Sequence, residues 1–406
     1  MSAFRGDSLG VRLPTTRLMA CDQQIFARPP IYELVFAPLS PRSLVRVALT
    51  CRAAYQAAAA FKQRAFNVNR HLSQYFSDPL AFRSLQAKTG TLISGSNALQ
   101  FLDRSFYLGS DLDVYTHPGH TFEVCRWLVE SEGYHFVPRG IQDKDWREEI
   151  KDNWDGTQRR IIRVEEVAED VEYPLSGIEG VYTFKKHPNA EGSNQDSRIV
   201  QVIGCKSSPF DAIINFHSTC VMNFIAFNAA YSLYPLATFE HRSSFAMSKT
   251  RNSITTDNAF AKYSQRGWHF YFAPRPRDVA GRHCTPFMFG ATRWVGDNYT
   301  WTLPLDTTGI MARPATNTSS EPFPWDPVVY NSWSLRTKYG GLETKCDYFP
   351  LQTTVFRYNY CFSDEDLVMK LRHWAAVQGY ASHRKLSKNH WSWFDADIPS
   401  FILSKN

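Results

Sequence analysis

The sequence predicts an α+β protein in three parts: a helical N-terminal segment, an α/β domain and a β-rich C-terminal region closed by a helix. Three observations predict it. Apolar residues recur at helical spacing near the N-terminus, short apolar runs alternate with helical patterns in the middle, and aromatic runs separated by Pro and Gly follow residue 282. The 406 residues, 43% hydrophobic and 21% charged, suffice for two or three domains and exclude a collagen-like or wholly disordered chain.

The N-terminal region is predicted to be a disordered polar leader over 1–27 and a helical segment over 28–80. Ser40 followed by Pro41 is typical of a cap with proline in the first helical position, and predicts a helix over 41–53. A short helix precedes it, and one or two more follow as far as residue 76.

Positive charge is concentrated at the N-terminus. The first 70 residues hold ten Lys and Arg against three Asp and Glu, which leaves 35 of the 45 basic and 36 of the 39 acidic residues for the rest of the chain. A protein that binds long nucleic acid carries its basic residues clustered on the folded body. The distribution therefore argues against a long nucleic acid as partner. About half of the N-terminal basic residues are expected on the polar face of the helices: Arg42, Arg46, Arg52, Lys62 and Arg64.

The α/β domain is predicted over 81–220. A turn at Ser94, Gly95 and Ser96 separates a short strand from a helix, and a second strand carries two aspartates. Thr121 begins an amphipathic helix that closes at Gly133. The predicted strands are 91–93, 111–115, 159–167, 181–186 and 198–203, with the first helix at 97–103.

An uncharged segment over 212–239 is long enough to span a bilayer. Asn215, Asn223 and Asn228 lie inside it, and polar groups are costly in lipid. The segment is therefore predicted as buried helix, part of a helical stretch over 221–281, and no membrane association is expected. With no signal-peptide core and no CxxC among eight cysteines, the sequence predicts a cytoplasmic or nuclear protein.

The C-terminal region over 282–406 is predicted to be β-rich. Residues 312–326 are interpreted as a flexible insertion. Ser363 and Asp366 resemble a capping box that begins the final helix.

The residues that point to chemistry are Gly95 and Ser96, followed by Asp111 and Asp113. Alternate strand residues face the same way, so the two aspartates present adjacent carboxylates that favour a cation such as Mg²⁺. Backbone N–H groups at Gly95 and Ser96, where a helix begins, suit a triphosphate, and Arg104 is a candidate phosphate contact. The combination predicts metal-assisted nucleotidyl transfer.

The run ISGSNALQFLDRSFYLGSDLDVYT resembles the GS…DxD signature of the polymerase-β-type nucleotidyltransferase superfamily. The chain more closely resembles fungal proteins that pair an F-box-like N-terminus with such a domain, through blocks scattered over 83–335, among them FHSTCVMNFIAF, RWVGDNYTW and YNSWSL. The resemblance implies Mg²⁺ and a nucleoside triphosphate as cofactors. It implies nucleotide binding by Gly95, Ser96 and Arg104, and catalysis and metal binding by Asp111 and Asp113.

The run PPIYELVFAPLSPRSLVRVALTCRAAY resembles an F-box. That resemblance implies docking to a Skp-type adaptor of a cullin ubiquitin ligase. A generic helical cap on the following domain is the alternative. The residues expected on the adaptor face or in the small core are Ile31, Leu34, Leu39, Leu44 and Val47.

Active members of the nucleotidyltransferase superfamily carry a third carboxylate on a neighbouring strand, which completes a two-metal site. The strand at 198–203, RIVQVI, holds no acid, and the segment after it offers Asp211 and His217. Histidine is a poor Mg²⁺ ligand. Glu165 and Glu166 are fallback candidates, of which one at most faces the site.

The sequence therefore favours an F-box-like intracellular protein with a degenerate nucleotidyltransferase-fold domain, acting in recognition or as a ubiquitin-ligase adaptor. The alternative is an active Mg²⁺-dependent nucleotidyltransferase that moves a nucleoside monophosphate from its triphosphate to an acceptor. A structural module with neither role is the third interpretation, and the sequence leaves the question of enzymatic activity open.

Overall fold

The structure is a computed structural model that describes residues 24–107, 109–150, 177–187, 197–247, 254–275, 285–311, 326–338, 343–385 and 393–403. The chain divides into an N-terminal unit, residues 1–67, and a C-terminal unit, residues 68–406. Among the described residues, helix accounts for 43% and strand for 23%, which confirms the α+β class. Residues 1–23 of the predicted leader lie outside the described residues. The domain limits predicted at 80, 220 and 281 stay predictions.

The described residues of the N-terminal unit include the helices α1 (Pro29–Phe36), α2 (Pro41–Ala48) and α3 (Arg52–Ala65). The Ser40 hydroxyl accepts the backbone N–H of Ser43 at 3.2 Å, so the predicted cap of α2 is confirmed. The helix predicted over 41–53 ends earlier than expected, because Cys51 begins α3 as its N-cap.

A small aromatic core joins these helices. The Phe36 ring lies 5.5 Å from that of Phe61, between α1 and α3. Arg64 of α3 donates to the Glu33 carboxylate at 2.7 Å and to the Tyr32 hydroxyl at 2.8 Å. The buried core residues are Tyr32, Phe36, Leu44, Ala48, Ala57, Ala58 and Phe61.

The C-terminal unit contains the remaining helices and every strand of the described residues. Its helices are α4 (Val68–Leu72), α5 (Pro79–Thr89), α6 (Gly95–Asp103), α7 (Thr121–Glu130), α8 (Trp146–Glu149), α9 (Pro209–Ile214), α10 (Ile254–Gln265), α11 (Glu365–Lys385) and α12 (Ile398–Leu403). Its strands are β1 (Leu92–Ser94), β2 (Leu112–Thr116), β3 (His135–Val137), β4 (Ile178–Lys186), β5 (Arg198–Cys205), β6 (Asn223–Ile225), β7 (Ala229–Ser232), β8 (Ser243–Phe245), β9 (His269–Tyr271), β10 (Thr292–Trp294), β11 (Trp301–Pro304), β12 (Ser332–Lys338), β13 (Glu343–Asp347), β14 (Phe349–Leu351) and β15 (Tyr360–Phe362).

The largest sheet has eight strands in the order β11-β7-β6-β1-β2-β5-β4-β3. β1 and β2 pair antiparallel, and β2 and β5 pair in parallel, so the two aspartates lie near the middle of the sheet. The predicted strands at 91–93, 111–115, 181–186 and 198–203 are confirmed as β1, β2, β4 and β5. The strand predicted at 159–167 lies outside the described residues.

The uncharged segment over 212–239 differs from its prediction. Its beginning continues α9, and single helical turns lie at Thr219–Val221 and Leu236–Glu240. Between these turns β6 and β7 pair with each other, and β6 also pairs with β1. The cause is burial of every residue of β6 and β7, because a short run that is buried on all sides carries no periodicity to separate a strand from a helix. In the described part of the chain, no helix combines the length and the apolar character that crossing a membrane requires.

The C-terminal region is rich in strands, as predicted, and ends with α11 and α12. The predicted capping box is wrong in detail: the Asp364 carboxylate, not Ser363, accepts the backbone N–H of Leu367 at 3.0 Å. The backbone N–H of Ser363 donates instead to the Ser332 hydroxyl at 2.9 Å, which ties the start of α11 to β12. Residues 312–325 of the predicted insertion lie outside the described residues.

Candidate functional site

The two halves of the GS…DxD pattern meet at the junction of β1 and β2. Ser94, the last residue of β1, is the register partner of Asp113 in β2, and α6 begins directly after it. Gly95 has a φ of +68°, a conformation that residues with a Cβ rarely adopt. Glycine is therefore required where the chain turns from strand to helix, and this turn places the beginning of α6 beside Asp113.

The two aspartates face the same side of the sheet. Asp113 is 6% exposed in the middle of β2, and Leu112, between the two aspartates, is fully buried. Asp111 lies just before β2 and is partly buried. Because side chains alternate along a strand, Asp111 and Asp113 present adjacent carboxylates, as the sequence predicts.

Gln201 of β5 lies beside both carboxylates. It is the register partner of Asp113 in the parallel pairing of β2 with β5, and residues paired in this way point to the same face. Its side-chain amide donates to Asp111 Oδ2 at 3.0 Å. The neighbouring strand thus offers a neutral amide at the level of Asp113. The sequence showed that this strand holds no acid, but gave no sign that Gln201 binds Asp111.

A hydrogen-bonded chain behind the aspartates was missed from the sequence. Tyr75 donates its hydroxyl to the Ser110 carbonyl at 2.8 Å and accepts from the Asn97 amide of α6 at 2.9 Å. The Asn97 carbonyl oxygen lies 2.7 Å from His71 Nε2 in α4. Burial raises the pKa of Tyr75, and so do the negative charges of Asp113 and Asp111. The chain fixes α6 against the residues that lead into β2.

Ser96 faces the same residues from the beginning of α6. Its hydroxyl lies 3.1 Å from that of Ser110, the residue before Asp111. Gln100, one turn further along α6, donates its amide to the Ser110 hydroxyl at 2.7 Å and accepts the backbone N–H of Tyr107 at 2.8 Å. The loop between α6 and β2 is therefore held against the helix at Tyr107 and at Ser110.

Arg104, the third predicted nucleotide ligand, lies at the opposite end of α6. It is the left-handed C-cap of this nine-residue helix, with a φ of 55°. A helix of that length spans about 13 Å, so Arg104 and Gly95 are separated by that distance along the axis. Burial lowers the pKa of Arg104, Asp103 raises it, and the positive charge of Arg242 lowers it further. Nucleotide binding by Arg104 stays a prediction.

The residues considered for the third metal-binding position make contacts with residues other than Asp111 and Asp113, where the structure describes them. Asp211 of α9 accepts from the Tyr348 hydroxyl, and from the Asn215 amide at 3.2 Å. His217 is 1% exposed, and its ring lies 5.7 Å from that of Tyr263. Glu165 and Glu166 lie outside the described residues. Within the described ranges, no group of three or more His, Cys, Asp and Glu side chains is placed to hold a metal ion.

The residues predicted to bind an adaptor fall into two groups in the N-terminal unit. Leu34 is 80% exposed and Ile31 is 38% exposed, both on α1. Leu44 belongs to the buried core, and Leu39 and Val47 pack against that core. Further large apolar side chains of this unit that the sequence did not single out are exposed: Val35, Val45, Leu49 and Tyr55.

The functional assignment rests on these residues and their geometry. No protein-family model, no curated protein and no solved structure matches the chain. The resemblance carried by the GS…DxD and F-box-like blocks therefore stays a prediction.

Proposed function

We propose that the C-terminal unit binds a Mg²⁺–nucleoside triphosphate at Gly95, Ser96, Asp111 and Asp113 and does not transfer the nucleotidyl group, so that the domain serves recognition. The observation that carries this proposal is Gln201, the neutral residue in register with Asp113 on the neighbouring strand.

The two carboxylates support a divalent cation. Like charges on one face of a strand repel each other, and Mg²⁺ takes carboxylate oxygens together with the phosphate oxygens of a nucleotide. Asp111 and Asp113 are the residues that would hold the ion. When bound, the ion neutralises phosphate charge and fixes the position of the triphosphate.

The beginning of α6 supports the triphosphate. Ser94 is the N-cap residue, whose hydroxyl ordinarily accepts an N–H of the first turn. Here that hydroxyl donates to the Asn223 carbonyl at 2.6 Å and so is turned toward β6. The first backbone N–H groups of α6 then suit an anion, which the helix dipole also favours. The Ser96 hydroxyl, beside Ser110, is a further donor for the same phosphate groups.

Gln201 argues against transfer. A carboxylate on the neighbouring strand of an active site binds a second metal ion and can deprotonate the attacking hydroxyl. An amide carries no charge and accepts no proton at neutral pH. In addition, Gln201 donates to Asp111 Oδ2, so this oxygen is engaged by a neutral donor. Binding without chemistry is the function that this arrangement supports best.

The test is calorimetric titration of the full chain with ATP, CTP, GTP and UTP in the presence of Mg²⁺. We expect at least one nucleotide to bind, and Asp111→Asn with Asp113→Asn to weaken it about a hundredfold or more, because two charged ligands are lost. Asp143→Asn with Asp145→Asn is the matched control: it removes two exposed aspartates at the same spacing and should leave binding unchanged. Equal binding by both double variants would contradict the proposal.

Transfer is tested separately with α-labelled triphosphates and mixed acceptors. We expect no labelled product from the wild-type chain. A product whose formation needs Asp113 would establish the alternative, an active nucleotidyltransferase, in place of recognition.

For the N-terminal unit we propose docking to a Skp-type adaptor, as the F-box-like block implies. The observation in favour is Leu34, which is 80% exposed on α1 of a unit with a small core. Ile31→Asp with Leu34→Asp should weaken binding to the purified adaptor about thirtyfold or more, the size of a hot-spot loss. Leu403→Asp, at a 70% exposed leucine of the C-terminal unit, is the control. An adaptor that binds neither the wild type nor this control would remove the proposal.

A further inference from the structure

Three arginines lie near the C-terminal end of α6, away from Gly95 and Ser96. Arg266 and Arg242 interact with Tyr107, and Arg104 interacts with Arg242. The arginine cluster consists of Arg104, which ends α6, Arg242, which precedes β8, and Arg266, which follows α10. The three come from distant parts of the chain, so their assembly is a product of the fold rather than of a local basic run.

Ring stacking holds the guanidinium groups of Arg242 and Arg266 in place, and an ion pair further fixes Arg242. Arg266 lies 3.7 Å above the centre of the Tyr107 ring, and Arg242 lies 4.9 Å from that of Trp268. Arg242 also contacts Asp103, with Nη2 at 2.8 Å from Oδ1 and Nη1 at 2.9 Å from Oδ2. Groups fixed in this way lose little conformational entropy when a ligand binds.

The cluster carries an excess of positive charge. Asp103 pairs with Arg242 and offsets one of the three charges. Burial lowers the pKa of Arg104, and the positive charge of Arg242 adds to that effect. Arg266 Nη1 is buried and has no hydrogen-bond partner within the part of the chain that the structure describes. A buried N–H without a partner is costly, and an anion seated beside Arg266 would satisfy it.

The backbone gives an independent indication. Among the described residues, three that are not glycine have a positive φ: Arg104 at 55°, Arg242 at 47° and Met288 at 51°. Two of the three belong to the cluster. A helix commonly ends with glycine at a left-handed position, where a residue with a Cβ costs free energy, and such costs concentrate at functional sites. The arginine side chains are thus kept at positions where the backbone favours glycine.

We propose that the arginine cluster binds the phosphate group of a small molecule, at a site separate from Gly95 and Ser96. Phosphate matches the planar N–H fork of arginine, and Arg242, whose side chain is 44% exposed, leaves the site accessible. The C-terminal unit, residues 68–406, holds 36 basic and 36 acidic residues, so one phosphate group fits this unit better than a polynucleotide that needs an extended basic surface.

The test is calorimetric titration of the full chain with inorganic phosphate and with pyrophosphate, without Mg²⁺ and at low ionic strength. Arg266→Gln should weaken binding by about tenfold or more, the size of a lost charge-assisted hydrogen bond. Asp103→Asn should strengthen it by up to about fivefold, because Arg242 loses its competing carboxylate. Arg336→Gln makes the same chemical change at an arginine that is 56% exposed on β12, and should have no effect.

Three results would overturn the proposal. The first is that the folded wild-type chain binds neither anion, and the second is binding that Arg266→Gln and Asp103→Asn leave unchanged. The third is obtained with oligonucleotides that carry a 5′-phosphate or a 5′-hydroxyl: an affinity that grows with length and does not depend on the terminal phosphate would indicate a polynucleotide surface instead. Preference for the 5′-phosphate, at an affinity independent of length, would support the phosphate site.

Discussion

Two sequence blocks of the C-terminal unit place an aspartate one or two residues after a glycine, and the structure gives these aspartates opposite surroundings. In RWVGDNYTW, Asp297 accepts from the Arg293 guanidinium at 2.6 Å and from the backbone N–H groups of Trp294, Tyr299 and Thr300. Burial would raise the pKa of Asp297, but these donors and the charge of Arg293 bring it below its ordinary value. Asp297 is thus the centre of a closed structural motif.

In GSDLDVYT the groups reported beside the aspartates are neutral. Gln201 offers Asp111 a neutral amide, and the pKa of Tyr75 is raised by burial and by the charges of both Asp113 and Asp111. The two negative charges lie on one face of β2. The comparison teaches that the groups around a carboxylate, rather than its burial, distinguish a structural aspartate from one placed for a cation.

The largest effect is expected when the structural motif is broken. Asp297→Asn should lower the free energy of unfolding by about 3 to 5 kcal/mol, because Arg293, whose side chain is 2% exposed, keeps its charge and loses its partner. Urea denaturation measures the change. Asp347→Asn is the control, since Asp347 pairs with Lys345 at a more exposed site and its loss should cost less than about 1 kcal/mol. If Asp297→Asn and Asp347→Asn lower the free energy of unfolding equally, Asp297 is not the centre of a structural motif and its contrast with Asp111 and Asp113 is lost.

A smaller effect is expected from the groups that hold the DxD aspartates in place. Tyr75→Phe removes the hydroxyl that joins Asn97 to Ser110, and should lower the free energy of unfolding by about 1 to 3 kcal/mol, because buried polar groups lose their partner. It should also weaken binding of a Mg²⁺–nucleotide, since α6 is no longer fixed against the loop. Unchanged stability of Tyr75→Phe would show that Tyr75 does not help to hold Asp111 and Asp113 in place.

The local part of this site could be predicted from the sequence. β1, the GS turn, α6 and β2 follow one another within 25 residues, and each has its own turn or periodicity. The neighbours could not be predicted. Gln201 lies 90 residues from Asp111, and only the sheet order brings β5 beside β2. Tyr75 occupies an ordinary position in a helical pattern, so nothing in its own segment indicated a role.

Burial explains the remaining errors. β6 and β7 carry no periodicity because both faces are covered, and this hid the strand that pairs with β1. RWVGDNYTW was noticed in the sequence as a block of resemblance. Its structural role also involves a hydrogen bond from the Arg293 guanidinium to the Leu233 carbonyl, 60 residues away, which the sequence did not indicate. Contacts between distant segments decide both cases, and a single sequence does not contain them.

The pH dependence of the first prediction sharpens the comparison further. The pKa of Asp297 is lowered in the folded state, so its contribution is present above the unfolded value near 3.8 and is lost as the pH falls through the lower folded value. The difference in unfolding free energy between wild type and Asp297→Asn should therefore be constant from pH 7 to about pH 5 and shrink below about pH 4. If the difference in unfolding free energy is the same at pH 3 and pH 7, the shape of the Asp297 side chain rather than its charge accounts for its structural role.

The smallest effect on stability is expected at the aspartates placed for a cation. Without Mg²⁺, Asp111→Asn with Asp113→Asn should leave the free energy of unfolding unchanged or raise it by about 1 kcal/mol, because two like charges on one face no longer repel each other. The same variant should lose nucleotide binding. Asp111 and Asp113 would then serve function without supplying stability, whereas Asp297 serves stability alone. If the double variant instead unfolds as readily as Asp297→Asn, the carboxylates of GSDLDVYT hold the fold together. That result would contradict both the contrast between the two blocks and the proposed cation site. A residue kept for a ligand is expected to lower stability rather than to supply it.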